Sequence, residues 1–283
     1  MSNRYRQFKL INSVGAEYDL CHLDHALYSP DGLGFSKSHD SIQVGSAFAQ
    51  VEERLNQQTI TGEMVFKGYD KYTEFKDFIS DINLTLAYQP IYSGTWYYRS
   101  CRVKELKKGE ISPTTHRLHC AIDFLCFSQW YESTFAERTI YEESENSKFP
   151  LIFPFTFSDK SINEVIIYNK NTNPAPCKIE ILGPCANPQW KLFYNGSVIE
   201  DGKVSISLLE GESLIVDSNI ESMRIVKNVD GEESDAYQLS DFSTNRFVYA
   251  PFGQSILRFY HDSADVSSAL DVTVEVRQVS DTV

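Results

Sequence analysis

At 283 residues the chain is long enough for about two domains, each burying a core of its own. Its 26 Lys and Arg stand against 39 Asp and Glu, a formal net charge of -13, so the chain as a whole repels phosphate backbones and a nucleic-acid reader is disfavoured. Aromatics reach 13%, with 16 Tyr and 18 Phe, a bias toward strands.

The first residues, Ser2 to Lys9, are polar and charged, so no signal peptide is expected. The longest apolar run, Phe149 to Phe157, is broken by Pro150 and Pro154 and falls far short of a bilayer span, so no membrane is expected. Phe8 to Ile11, the turn Asn12 to Gly15, and Ala16 to Leu20 read as an opening hairpin. Cys21 to Asp40, with Pro30, Gly32, Gly34 and three His, reads as a long irregular connection, of the kind that is functional or reaches across to a partner. Ser41 to Arg54 shows a weak strand-like alternation.

Thr59 to Phe66 alternates with Ile60, Met64 and Phe66 on one side, as a half-buried strand does. A helix over about 70–83 follows, with Asp70 as its N-cap and Tyr72, Phe75, Phe78, Ile79 and Ile82 as one apolar stripe. Leu84, Leu86 and Tyr88 begin a strand that Pro90 stops, and Trp96 to Leu106 and Arg117 to Phe127 form an antiparallel pair. In the second of these, Leu118, Cys120, Ile122, Phe124 and Cys126 point one way and offer the helix a surface to cover. Residues 1–136 therefore read as a β-sandwich-like domain with one helix packed on a sheet, residues 137–148 as an acidic linker, and residues 149–283 as a second domain.

That second half shows no convincing helix. Short runs recur at Leu151 to Phe157, Val165 to Tyr168, Cys177 to Leu182, Trp190 to Tyr194, Val198 to Ile199, Val204 to Leu209 and Leu214 to Val216. They continue at Met223 to Val226, Tyr237 to Leu239, Arg246 to Tyr249, Ser255 to Tyr260 and Val272 to Val276, the count and spacing of a β-sandwich in a mainly β chain. Asn195-Gly196 is the strongest hairpin signal, with further turns at Asp230-Gly231 and at Glu210 to Glu212.

The residues that could carry chemistry do not assemble into a motif. His22, His25 and His39 lie near Cys21, but no second close pair completes a zinc pattern, and His116 and His119 on one strand would face opposite ways. Cys177 and Cys185 flank a turn and could face each other across a hairpin; all six cysteines are read as free thiols. Gly253-Gln254-Ser255 lacks the second glycine of a nucleophile elbow, and Gly32-Leu33-Gly34 stops short of a phosphate loop. No catalytic, cofactor or metal residue is assigned. Trp190 and Tyr194 are candidates for a sugar-stacking platform, with a buried Trp190 as the plainer alternative.

With these elements in order, the chain resembles the distal tail protein family of long-tailed bacteriophages. In the first half the resemblance rests on Phe8-Lys9-Leu10-Ile11-Asn12 followed by Gly15 and Tyr18-Asp19-Leu20, on Gly32-Leu33-Gly34-Phe35, and on Ile60 to Phe66 leading into Tyr69, Tyr72 and Phe75. It continues through Leu106 to Glu110 and ends at Phe127-Ser128-Gln129-Trp130-Tyr131. In the second half it rests on Ile181 to Pro184 with Asn187-Pro188, on Leu209 to Glu212, and on Pro251-Phe252-Gly253. The resemblance implies a ring-forming amino-terminal domain, a homohexamer, and a galectin-like or carbohydrate-module-like carboxy-terminal sandwich. It implies the tail tube protein, the tail-associated hub protein and in some members receptor-binding proteins as partners, DNA passing through without specific binding, a place at the distal end of the virion tail, no cofactor and no catalytic residues. The rival readings are a carbohydrate-binding module that uses the second sandwich for host attachment, and a glycoside-active enzyme built on two of the many carboxylates.

Overall fold

The structure is a computed structural model and describes residues 6–91, 94–139, 163–262 and 270–280. The chain divides into two compact units, Met1–Glu132 with Val279–Val283, and Ser133–Gln278. The acidic stretch from 140 to 148 and the apolar positions Leu151, Phe153, Phe155 and Phe157 lie outside the described residues, while Glu137–Thr139 forms a strand.

In the first unit Gln7–Ile11 and Glu17–Asp19 make the expected hairpin, with Leu10 opposite Tyr18. Gln7–Ile11 pairs on its other side with Leu84–Gln89, and that strand pairs with Tyr97–Ile111. Tyr97–Ile111 lies against Arg117–Cys126, which lies against Thr59–Lys67, then His25–Asp31, then Cys21–His22, all antiparallel. The sheet curls back on itself, for Leu20 N donates to Phe8 O at 2.8 Å and Leu27 N to Leu20 O at 2.8 Å. One core results, because each strand turns its alternate apolar residues inward. Phe8 and Leu10, Ile60, Met64 and Phe66, Leu84 and Leu86, and all five of Leu118, Cys120, Ile122, Phe124 and Cys126 are buried together.

The helix, Tyr69–Phe78, is shorter than expected. Its N-cap is Gly68, in the left-handed region at φ 86, so Asp70 falls in the first turn, where its charge favours the helix dipole. At the other end Ser80 Oγ donates to Asp77 O, and Asp81 turns its carboxylate to the Asn83 N–H and to Ser13 in the opening hairpin. The chain thus leaves the helix early, and Ile82, 66% exposed, drops out of the apolar stripe. Phe75 is fully buried, with its ring 5.3 Å from Phe66 and 5.2 Å from Tyr18. The helix therefore leans on Thr59–Lys67 and the opening hairpin, rather than on the face from Leu118 to Cys126, which lines the same core from the neighbouring strand.

Cys21 to Asp40 is not an irregular connection. It holds Cys21–His22, His25–Asp31 and the start of a second hairpin, Lys37–Val44 with Ala47–Leu55. The sequence hides this hairpin because every residue in it is exposed, so no buried face imposes an alternation.

The second unit is a β-sandwich of two antiparallel sheets. One runs Glu232–Asp235, Arg224–Val229, Glu212–Asp217, Ala175–Leu182, Asp271–Ser280; the other runs Glu137–Thr139, Asn163–Asn169, Gly253–Tyr260, Gln189–Tyr194, Ser197–Lys203. Their inward residues, among them Ile179, Ile181, Leu192, Leu214, Val216, Leu257 and Val274, form a single core. Asn195-Gly196 makes its two-residue turn with φ of 50° and 80°, and Asp230-Gly231 does the same with 50° and 89°. Tyr237–Leu239, expected as a strand, is a short 3-10 helix. Cys177 and Cys185 do not face one another, since their strand partners are Val276 and Leu208. All six cysteines are free thiols.

Candidate functional site

The histidines serve structural or solvated roles. His25 is buried against Tyr18, with ring centres 4.5 Å apart, and stacks on His22 at 5.0 Å; burial, then the neighbouring His22, pulls its pKa below the ordinary value. Cys21 Sγ accepts a hydrogen bond from Phe8 N at 3.3 Å, and His39 rides on the exposed hairpin beside Glu53 at 3.7 Å. His116 sits in the turn before its strand at φ 54, not on the strand, and His119 pairs outward with Glu63 at 2.9 Å. Among the described residues no group of three or more His, Cys, Asp or Glu is placed to hold a metal ion.

Trp190 and Tyr194 share a strand but not a surface. Trp190 is fully buried beneath Gly202 of the adjoining strand, where a Cβ would lie 2.4 Å from the indole ring, so the ring has no face to offer a sugar. The physical reason is register: Trp190 and Leu192 point into the sandwich, whereas Tyr194 stands at the turn that follows. Tyr194 instead lines a shallow cleft of about 650 Å³ with Phe193, Phe252 and Arg258. Arg258 lies 4.6 Å over the Phe193 ring and its Nε is 2.6 Å from Glu164. A cleft with aromatic walls and one paired guanidinium can stack a planar or sugar ring and donate to its hydroxyls, while no carboxylate stands among the described residues that line it.

The exposed hairpin is the more unusual surface. Cross-strand pairs Ile42 with Ala49 and Val44 with Ala47 put four small or branched apolar side chains on one face near its tip, and Gln43 with Phe48 opens the other. Ile42 is 60% exposed and Phe48 72%. Charges gather toward the root, where Lys37 pairs with Glu53 at 2.5 Å and Arg54 with Glu52 at 2.6 Å. A two-stranded ribbon with neither face covered by the described residues is marginal in water, and its tip is an exposed apolar patch.

Residues 7–127 match the family model described as the N-terminal domain of distal tail proteins. Among solved structures, a chain of the phage P2 baseplate in its activated conformation with calcium is similar at 13% identity, with 98% of this chain and 99% of that chain covered and a TM-score of 0.74. The same baseplate with strontium gives the same figures. The Dit protein of phage SPP1, described as a paradigm of hub adsorption apparatus in phages infecting Gram-positive hosts, is similar at 10% identity over 96% of this chain and 98% of that one, with a TM-score of 0.58. No curated protein matches in sequence. At these identities the structural likeness is one of fold.

Proposed function

We propose, from the match of residues 7–127 to the model of the N-terminal domain of distal tail proteins, that the chain is a phage tail and baseplate component of that family and forms a homohexameric ring joining the tail tube to the tail-associated hub. The observation that carries the reading is the hairpin Lys37–Val44 with Ala47–Leu55, whose apolar tip is covered by none of the described residues and offers a surface to a neighbouring copy. Charge supports passage of DNA through such a ring without adhesion. The first unit has 14 Lys and Arg against 17 Asp and Glu, close to neutral, so a lumen built from it attracts phosphate weakly.

The second unit carries the larger excess, 12 against 22, and in this reading projects outward toward receptor-binding proteins or the host surface. The cleft of Phe193, Tyr194, Phe252 and Arg258 favours carbohydrate attachment as the second reading, with Tyr194 in place of Trp190 as its stacking residue. Concentrated protein should sediment as a hexamer, and Ile42→Asp with Phe48→Asp should sediment as a folded single copy with an unchanged unfolding midpoint. Rings formed equally well by the double variant would remove the hairpin from the interface. A glycan array on which the intact chain binds and Tyr194→Ala does not would promote the second reading.

A further inference from the structure

The pairing of strands in the first unit brings two of the free thiols face to face. Cys101 of the strand Tyr97–Ile111 stands opposite Cys126 of Arg117–Cys126, each 2% exposed and turned into the same core. The other cysteines face residues of other kinds: Cys120 lies opposite Lys108 and Met64, Cys21 opposite Ala26, Cys177 opposite Val276 and Cys185 opposite Leu208. Hydrogen bonds fix what kind of pair Cys101 and Cys126 form. Phe127 N donates to Ser100 O at 2.9 Å, one step along the ladder, while Cys126 N turns away and donates to Gln58 O at 3.0 Å. The two cysteines are therefore a non-hydrogen-bonded pair, the kind whose Cα atoms stand about 4.5 Å apart and whose side chains lie closest. That separation falls within the range a disulfide spans.

We propose that Cys101 and Cys126 are an oxidisable dithiol, which closes to a cross-strand disulfide on meeting a small disulfide of the glutathione class. One cysteine thiolate attacks the S–S bond of the oxidant and expels a glutathione thiolate; the second cysteine then attacks the protein-bound sulfur of the mixed disulfide and expels the other. The two protein thiols give up two protons and two electrons, and the oxidant leaves as two glutathione thiols. Cys126 Sγ donates to Phe124 O at 3.7 Å in the reduced chain, and rotation about its Cα–Cβ bond frees it toward Cys101. Burial pushes the Cys101 thiol up to about 12 and raises that of Cys126 as well, so exchange proceeds only as the strand ends open. The bond closes a loop of roughly 25 residues and locks the register of the two strands next to their irregularity between Asp123 and Phe124. The inference rests on register and burial and stands apart from the ring reading.

The test takes the full chain, its exposed Cys21 first capped with iodoacetamide, into oxidised glutathione with urea kept below the unfolding transition, so that strand ends open while the fold persists. Peptide mapping without reductant should recover Cys101 joined to Cys126 in most molecules. The thermal midpoint of the first unit should rise by about 8 °C and fall back on adding dithiothreitol. Cys101→Ser should lose both the bond and the shift, and if that variant does not fold, the oxidised and dithiothreitol-treated forms of the unaltered chain supply the comparison. Recovery of Cys101 and Cys126 as unlinked thiols, a mixed disulfide that stops at either one, or a bond to Cys120 in place of Cys126 would overturn the proposal.

Discussion

The two units bury their strands in the same way and fill the space differently. The first packs aromatics from a helix and from both ends of its sheet: Tyr18, Phe66 and Phe75 meet ring to ring, and Phe8, Phe124 and Trp130 complete the core. The second is filled mainly by Ile, Leu and Val from two flat faces, with Trp190 and Phe259 as its large rings. A helix laid on a curled sheet leaves an uneven gap that wide side chains fill, whereas two facing sheets mesh with branched ones. Charge divides as sharply, since 10 of the 13 excess negative charges belong to the second unit. The near-neutral unit also carries the exposed hairpin, so that hairpin's apolar tip stands on the unit with the smaller net charge.

The comparison is sharpest where each core depends on one ring. Phe75→Ala should cost the first unit about 3 to 5 kcal/mol and Trp190→Ala the second a similar amount, each lowering hydrogen-exchange protection in its own unit. If either substitution destabilised both units equally, the two cores would not be independent. A smaller effect distinguishes the units by pH. Burial raises the Glu200 carboxyl from its ordinary 4.5 to about 7, against the hydrogen bond it accepts from Tyr249 N at 2.7 Å. Between those values the folded state keeps the proton that the unfolded chain releases, so the second unit loses stability as pH rises from about 4.5 to about 7. Glu200→Gln should flatten that slope and gain on the order of 1 to 2 kcal/mol near pH 8, with no gain near pH 4, in urea unfolding curves. Smallest of all, the exposed His119 and Glu63 pair on the outer face of the first unit should matter little. Glu63→Gln should shift its unfolding free energy by less than about 0.5 kcal/mol.

At Thr59–Lys67 and Arg117–Cys126, each with one long buried face, the alternation is legible in the chain, whereas His25–Asp31 buries only His25 and Leu27 and is hidden in an apparent connection. The positive-φ turns were legible too, because Asn195-Gly196 and Asp230-Gly231 are residue pairs that accept that geometry. Three features were hidden for physical reasons. The exposed hairpin has no inward face; the helix ends where the Asp81 side chain takes a long-range partner in Ser13; and the platform reading of Trp190, weaker than core in the sequence, falls only when Gly202 is seen to lie on the ring.

The register of the exposed hairpin shifts between Asp40 and Ser41, where the second strand carries an extra residue. A ribbon of even pitch would present two free edges whose amides and carbonyls match those of any identical ribbon, an invitation to stack without end. The bulge breaks that match part-way along and the charged root repels a second edge, so stacking stops before it can propagate. An apolar tip can thus stay exposed at high concentration without seeding fibrils.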